Sequence, residues 1–243
     1  MKYCVFLLVL GFTLFGFGLL IGSTNPSQEI TYQIVHVIGE KQETERKIEE
    51  TDDDKSYKIE AYLPYTPYPV LNNAIDSLAS SYISDFKKEI QEYGILTHQV
   101  YSLQITYDVY SYQNFVSYVF WIFMDIAGAH PNTFIRTITF DKKRQEIVTI
   151  DSLVDKYPNI LNEFSKISLE ELKKSEKFNE NGYDDILGML ESGTRPVLEN
   201  FKSFAFSEDG LILFFENYQV APYFYGSFQV KIPYSKLDFL DFS

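Results

Sequence analysis

Cysteine is nearly absent. The one thiol, Cys4, lies within an apolar N-terminal stretch. A fold built from the rest of the chain has no disulfide and no thiolate metal site. Histidine is almost as scarce: His36, His98 and His130 lie far apart, with no His-x-x-His or His-Glu-x-x-His spacing. A metal site needs several ligands that converge, so no metal is expected. Basic charge is in deficit, with 21 Lys and Arg against 34 Asp and Glu and a net charge of −13. Nucleic acid and anionic lipid or teichoic-acid surfaces would repel such a chain, whereas a basic protein would be steered toward it. There is no Gly-x-Ser-x-Gly elbow, no Ser-x-x-Lys and no Walker loop. Neither a cofactor nor a catalytic set is expected, and the chain does not read as an enzyme.

Long apolar runs are also lacking beyond residues 5–21, which follow Met1 and Lys2. That run reads as a cleaved secretory signal or a single membrane anchor. Gly22, Ser23 and Thr24 offer small residues for cleavage, but no Ala-x-Ala site is present. Either way, the bulk of the chain is expected outside the cytoplasm, anchored or secreted. The stretch Phe115 to Ile126 is too short, too β-branched and too aromatic for a span, and it suits a central strand buried on both faces.

What the chain does have is aromatic residues, 17% of the total, enough for a real core. Ile30 to Ile38 suits a strand. The charged stretch Gly39 to Lys55 is either a solvated edge hairpin or a linker. Tyr57, Ile59 and Ala61 alternate into Pro64, and Pro64, Pro67 and Pro69 argue against regular structure there. Leu71, Ile75, Leu78, Tyr82, Phe86 and Ile90 keep helical spacing up to a stop at Gly94. Tyr101 to Val109 alternates as a half-buried strand. Thr133–Phe140 and Gln145–Ile150 frame a turn, with Asp151 as a candidate cap. Leu161, Phe164, Ile167 and Leu172 predict a second helix ending before Asn179–Gly182, and Tyr183 to Leu190 a third. Phe201–Phe206 and Leu211–Phe215 flank Asp209-Gly210, a strong turn signal. The pattern is α+β: antiparallel sheets each packed against helices, in two similar-sized subdomains after an N-terminal hydrophobic helix. The expected partition is 1–24 leader, 25–55 spacer with a possible first strand, 56–157 and 158–243.

The most informative stretch is Asn217 to Leu237, a strand end, a loop ordered by Pro222 and Gly226, and a strand Phe228–Ile232 that Pro233 stops. The loop carries Tyr218, Tyr223, Phe224 and Tyr225. Tyrosine gives rigid contact area plus a hydroxyl at low entropic cost, so these rings are either core or a recognition surface. His130 lies in the motif Gly128-Ala129-His130-Pro131-Asn132-Thr133 and is either a turn-bonding structural residue or a ligand contact. Asp125, inside the apolar strand, needs a partner if buried, and Arg136 is the candidate.

The loop segment resembles the end of the ectodomain shared by RsiV-type anti-sigma factors, which sense lysozyme, and by the non-catalytic region of PdaC-type peptidoglycan deacetylases. The Gly128–Thr133 motif, Thr139-Phe140-Asp141 and Ile150-Asp151-Ser152-Leu153 add to the resemblance, which covers about Ser56 to Leu237. The resemblance implies a non-catalytic envelope module. Catalysis in PdaC-type enzymes resides in a separate domain not found here, and no cytoplasmic sigma-binding segment precedes the apolar run. The expected contacts are Pro222, Tyr223, Tyr225 and Gly226 with His130 and Asn132, meeting lysozyme, another wall hydrolase or peptidoglycan. Wall-glycan binding, or weak wall modification, is the alternative.

Overall fold

The structure is a computed structural model that describes residues 27–38, 41–52, 56–93, 100–126, 128, 130–178 and 186–240, with side chains from Thr44 onward. The expected leader, the stop at Gly94, His98 and the turn at 179–182 lie outside the described residues, and so does the side chain of His36. Among the described residues, no helix is long and apolar enough to cross a membrane.

A seven-stranded sheet runs in chain order through β1 (Ser27–Ile38), β2 (Lys41–Thr51), β3 (Tyr57–Tyr65), β4 (Tyr101–Tyr112), β5 (Phe115–Asp125), β6 (Asn132–Asp141) and β7 (Glu146–Val148). All neighbours are antiparallel except β3 and β4. That parallel pair needs a crossover, and helix α1 (Pro69–Tyr93) supplies it. α1 lays Leu71, Ile75, Ala79, Phe86 and Ile90 on the inner face of the sheet, where they meet Ile59, Leu103, Tyr118, Phe120 and Phe140. The expected edge hairpin or linker across 39–55 is corrected: residues 41–51 form β2, an inner strand that pairs with β1 and, from Thr44 onward, with β3.

This stretch is not uniformly solvated. Glu50 is 2% exposed, accepts a hydrogen bond from the Tyr57 hydroxyl at 2.8 Å, and pairs with Lys87 of α1 at 2.7 Å. A buried carboxylate is tolerable with such partners. The expected break at the prolines is also corrected. Pro64 lies inside β3, where pairing with β4 has already ended at Ala61, so one side of the strand is open. Pro69 opens α1, a position whose N–H has no helical acceptor. Between them, the buried Asn72 side chain bonds Thr66 three ways.

The second sheet has the order β10-β9-β8, from β8 (Phe204–Ser207), β9 (Gly210–Phe215) and β10 (Phe228–Ile232). Helices α2 (Ile150–Lys156), α3 (Ile160–Leu172) and α4 (Leu187–Gly193) pack on it through Ile150, Leu153, Phe164, Ile167 and Leu190. The architecture is therefore α+β, with two sheets packed against helices. Thr149, not Asp151, caps α2: its hydroxyl accepts from Ser152 N–H, and the Ser152 hydroxyl oxygen accepts from Thr149 N–H. Gly210 must be glycine because a Cβ there would lie 2.3 Å from the Ile232 carbonyl oxygen.

The two sheets meet through hydroxyls. β8 pairs with β9 by one edge and turns the other toward the outer face of the large sheet. There Phe204 N–H donates to Thr137 Oγ1 at 3.0 Å, and Phe206 N–H to Ser117 Oγ at 3.0 Å. Ser117 Oγ lies 2.9 Å from Thr139 Oγ1, which in turn donates to Phe204 C=O at 3.3 Å. Val119, Ile135, Ala205, Ile212 and Phe214 close the apolar part of the seam. β5 is accordingly buried on both faces along 116–120, and its far end opens at Phe123.

Ser117→Ala strands the buried Phe206 N–H and breaks the relay. It is expected to destabilise the fold by about 1–3 kcal/mol in urea unfolding. A change indistinguishable from zero would mean that the relay contributes nothing.

Candidate functional site

The two motif stretches singled out in the sequence, some ninety residues apart, come together at one corner. The segment after β9 is built to hold a sharp path. Glu216 Oε1 accepts from Ile135 N–H and from Arg136 Nη1, each at 2.5 Å, on the open edge of β6. Gln219 accepts from Glu216 N–H and donates to the Gly193 and Asn200 carbonyls. A Cβ at Gly193 would lie 2.0 Å from the Gln219 carbonyl oxygen, so only glycine allows this approach. Between Glu216 and Gln219, Tyr218 adopts φ +68°, a left-handed conformation uncommon for a bulky residue. Val220 and Ala221 are buried, and Pro222 then starts a 3-10 turn, Tyr223–Tyr225, which Gly226 releases at φ +73°.

One flank of the turn rests on the β5–β6 loop. The Tyr223 ring stacks on His130 with centroids 3.8 Å apart, and its hydroxyl donates to the Pro131 carbonyl at 2.8 Å. His130 Nδ1 lies 3.1 Å from the same carbonyl and Nε2 3.1 Å from the Tyr218 hydroxyl. A carbonyl only accepts, so Nδ1 carries the proton, and in the neutral ring Nε2 accepts from Tyr218. The other flank is held by Lys177, whose ammonium donates to the Tyr225 and Ser227 carbonyls at 3.0 and 3.1 Å and sits 4.4 Å over the Phe228 ring. Tyr225 packs edge-on against Phe178 at 5.2 Å.

The residues expected to make contacts divide accordingly. Pro222 and Gly226 shape the turn, and His130 bonds the Pro131 carbonyl of its own loop while stacking on Tyr223. Tyr223 and Tyr225 are half-buried struts. Asn132 opens β6 opposite Met124 and is half-exposed. The rings that face solvent most are Phe224, 71% exposed, and Tyr218, 55% exposed. Phe224 and Lys177 were not among the expected contacts. A 3-10 turn has three residues per repeat, so its neighbours point about 120° apart and cannot all lie on one side. With Tyr223 and Tyr225 each tied to a flank, Phe224 points out. Applied to Tyr223-Phe224-Tyr225, that periodicity predicts that the three rings diverge, while the flanking contacts decide which one points out.

Arg136 does not pair with Asp125 as expected. It stands opposite Phe120 in the ladder, five residues along β5 from Asp125, and Glu216 takes it instead. Among the described residues, no group of three or more His, Cys, Asp or Glu is placed to hold a metal ion.

Residues 151–235 match the family model described as "Protein of unknown function (DUF3298)", a span that includes the whole aromatic turn but not His130. Over 188 residues the chain is 30% identical to the peptidoglycan-N-acetylmuramic acid deacetylase PdaC of Bacillus subtilis (strain 168), a match covering 76% of this chain and 39% of PdaC. The chain is related to PdaC. Over 121 residues it is 26% identical to the esterase Rv3036c of Mycobacterium tuberculosis H37Rv, covering 50% of each. It thus spans half or less of the length of these two curated relatives. Two solved DUF3298 family proteins share the fold. One, from Pseudomonas aeruginosa PAO1, has a TM-score of 0.54 at 12% identity, over 89% of this chain and 94% of that one. The other, from Bacteroides fragilis, has a TM-score of 0.52 at 14% identity, over 88% and 94%.

Gly226→Ala is expected to cost about 1–3 kcal/mol from backbone strain alone, because φ +73° with ψ −161° is a region that only glycine occupies readily. The added methyl meets no atom within 4 Å. A thermal melt unchanged from the parent would show that the left-handed turn is not required.

Proposed function

We propose that this chain is a non-enzymatic binding module of the bacterial cell envelope, displayed outside the cytoplasm, that docks a basic muramidase or a wall component with its aromatic corner. The observation that carries this reading is Phe224, an exposed ring on a turn pinned from both sides. A pre-ordered turn loses little entropy on binding, so its apolar contact is available as affinity. Aromatic anchors of this kind dominate many interfaces. The net charge of −13 favours a cationic partner. The relationship to PdaC and the resemblance of Asn217–Leu237 to lysozyme-sensing RsiV-type ectodomains point to the same compartment. Residues 5–21 serve as the anchor or the export signal.

A wall glycan is the second reading, because Tyr218 and Phe224 are exposed rings on which sugars can stack. Parallel pull-downs with immobilised lysozyme and with insoluble peptidoglycan separate the two. Release of acetate from peptidoglycan by the purified chain would overturn the non-enzymatic assignment.

Phe224→Ala is expected to weaken lysozyme binding by about 2 kcal/mol or more in calorimetry at low salt, with the melting temperature unchanged. Raised salt should weaken binding further, as a steered basic partner requires. An absence of binding heat for the parent chain at low salt would remove the muramidase reading.

A further inference from the structure

Beside the aromatic corner, a polar pocket of about 300 Å³ opens at the seam between the sheets, lined by Arg136, Glu199, Asn200, Lys202, Glu216 and Gln219 among others. Its charges balance, two cations and two anions. The inner pair is fixed though part-exposed: Arg136 Nη1 bonds both the Ile135 carbonyl and Glu216 Oε1. Glu216 places both of its accepted bonds on Oε1, so Oε2 has no protein partner among the described residues. The Asn200 amide nitrogen is spent on the Ser192 and Arg195 carbonyls, and its carbonyl oxygen is left as an acceptor. The outer pair is loose, since Lys202 and Glu199 are 4.0 Å apart with side chains 63% and 71% exposed. An exposed pair at that distance contributes little and separates readily.

A pure anion would meet Glu216 and Glu199, and a pure cation would meet Arg136 and Lys202. A neutral sugar could exchange hydroxyl hydrogen bonds with these groups but would neutralise none of the charges. We propose that this pocket binds a small zwitterion of amino-acid or dipeptide size, its carboxylate on Arg136 and Lys202 and its ammonium on Glu216 and Glu199. Asn200 Oδ1 adds an acceptor for the ammonium, and Gln219, fully engaged with backbone, sets the wall. The site does not require the aromatic corner to be occupied.

The test is calorimetry on the full chain with glycine and glycyl-glycine as probes, and with acetate and methylammonium as half-ligands. At least one zwitterion is expected to bind below about 10 mM, with each half-ligand at least about tenfold weaker. The double variant Glu199→Gln, Lys202→Met changes two exposed side chains and should fold normally, as a thermal melt will show. It is expected to weaken zwitterion binding by about tenfold. Three results would each overturn the proposal: no binding of either zwitterion at that concentration, a half-ligand that binds as well as the zwitterion, or unchanged binding in the folded double variant.

Discussion

The molecule depends on what happens to one strand edge. β8 is the outer strand of a three-stranded sheet, and its unpaired N–H and C=O groups would otherwise be buried without partners, at a cost of about 1–3 kcal/mol each. They are satisfied by Thr137, Ser117 and Thr139, hydroxyl side chains on the face of the other sheet. The relay from Phe206 N–H through Ser117 and Thr139 back to the Phe204 carbonyl starts and ends on the same strand. It therefore sets the height and register of β8 on the large sheet. Hydrophobic packing at Val119, Ile212 and Phe214 supplies area but no register.

Once β8 is placed, β9 follows through its ladder, and the chain leaves β9 at Glu216 beside the open edge of β6. The Glu216 carboxylate replaces the missing neighbour strand at Ile135. From there the chain has little freedom. Gln219 ties it to Gly193 and Asn200, which forces Tyr218 into a left-handed backbone and aims its hydroxyl at His130. The aromatic corner is thus a consequence of how the two sheets are joined, and its rigidity derives from the fold rather than from the loop itself.

Much of the secondary structure was legible because burial on one face leaves a period in the sequence. The helix through Leu71, Ile75 and Phe86 and the strand through Tyr101, Leu103 and Ile105 are both read that way. Asp209-Gly210 and the Pro222–Gly226 loop were legible through backbone constraints local to those residues. The misreadings share one physical origin. Arg136 with Glu216, and Glu50 with Lys87, are pairings between residues distant in sequence, which leave no local pattern. Pro64 misled because tolerance of proline depends on whether the neighbouring strand reaches that position. At the corner, composition marked the rings, but their directions depended on Pro131, which holds Tyr223, and on Lys177, which holds the far side of the turn.

Those two supports bear on how the corner is weighed. A single exposed phenylalanine needs no explanation, since much protein surface is apolar. Tyr223, Tyr225, His130 and Lys177 are each accounted for by contacts that hold the turn. Phe224 has its ring neighbour Tyr225 at 4.1 Å and otherwise faces water, and Tyr218 keeps a strained backbone while more than half exposed. Stability alone would favour glycine or asparagine at the left-handed position and a polar residue at the tip of the turn. The strain at Tyr218 lies just before the 3-10 turn and the exposure at Phe224 lies at its tip, and both sit on a support that folding has already made rigid.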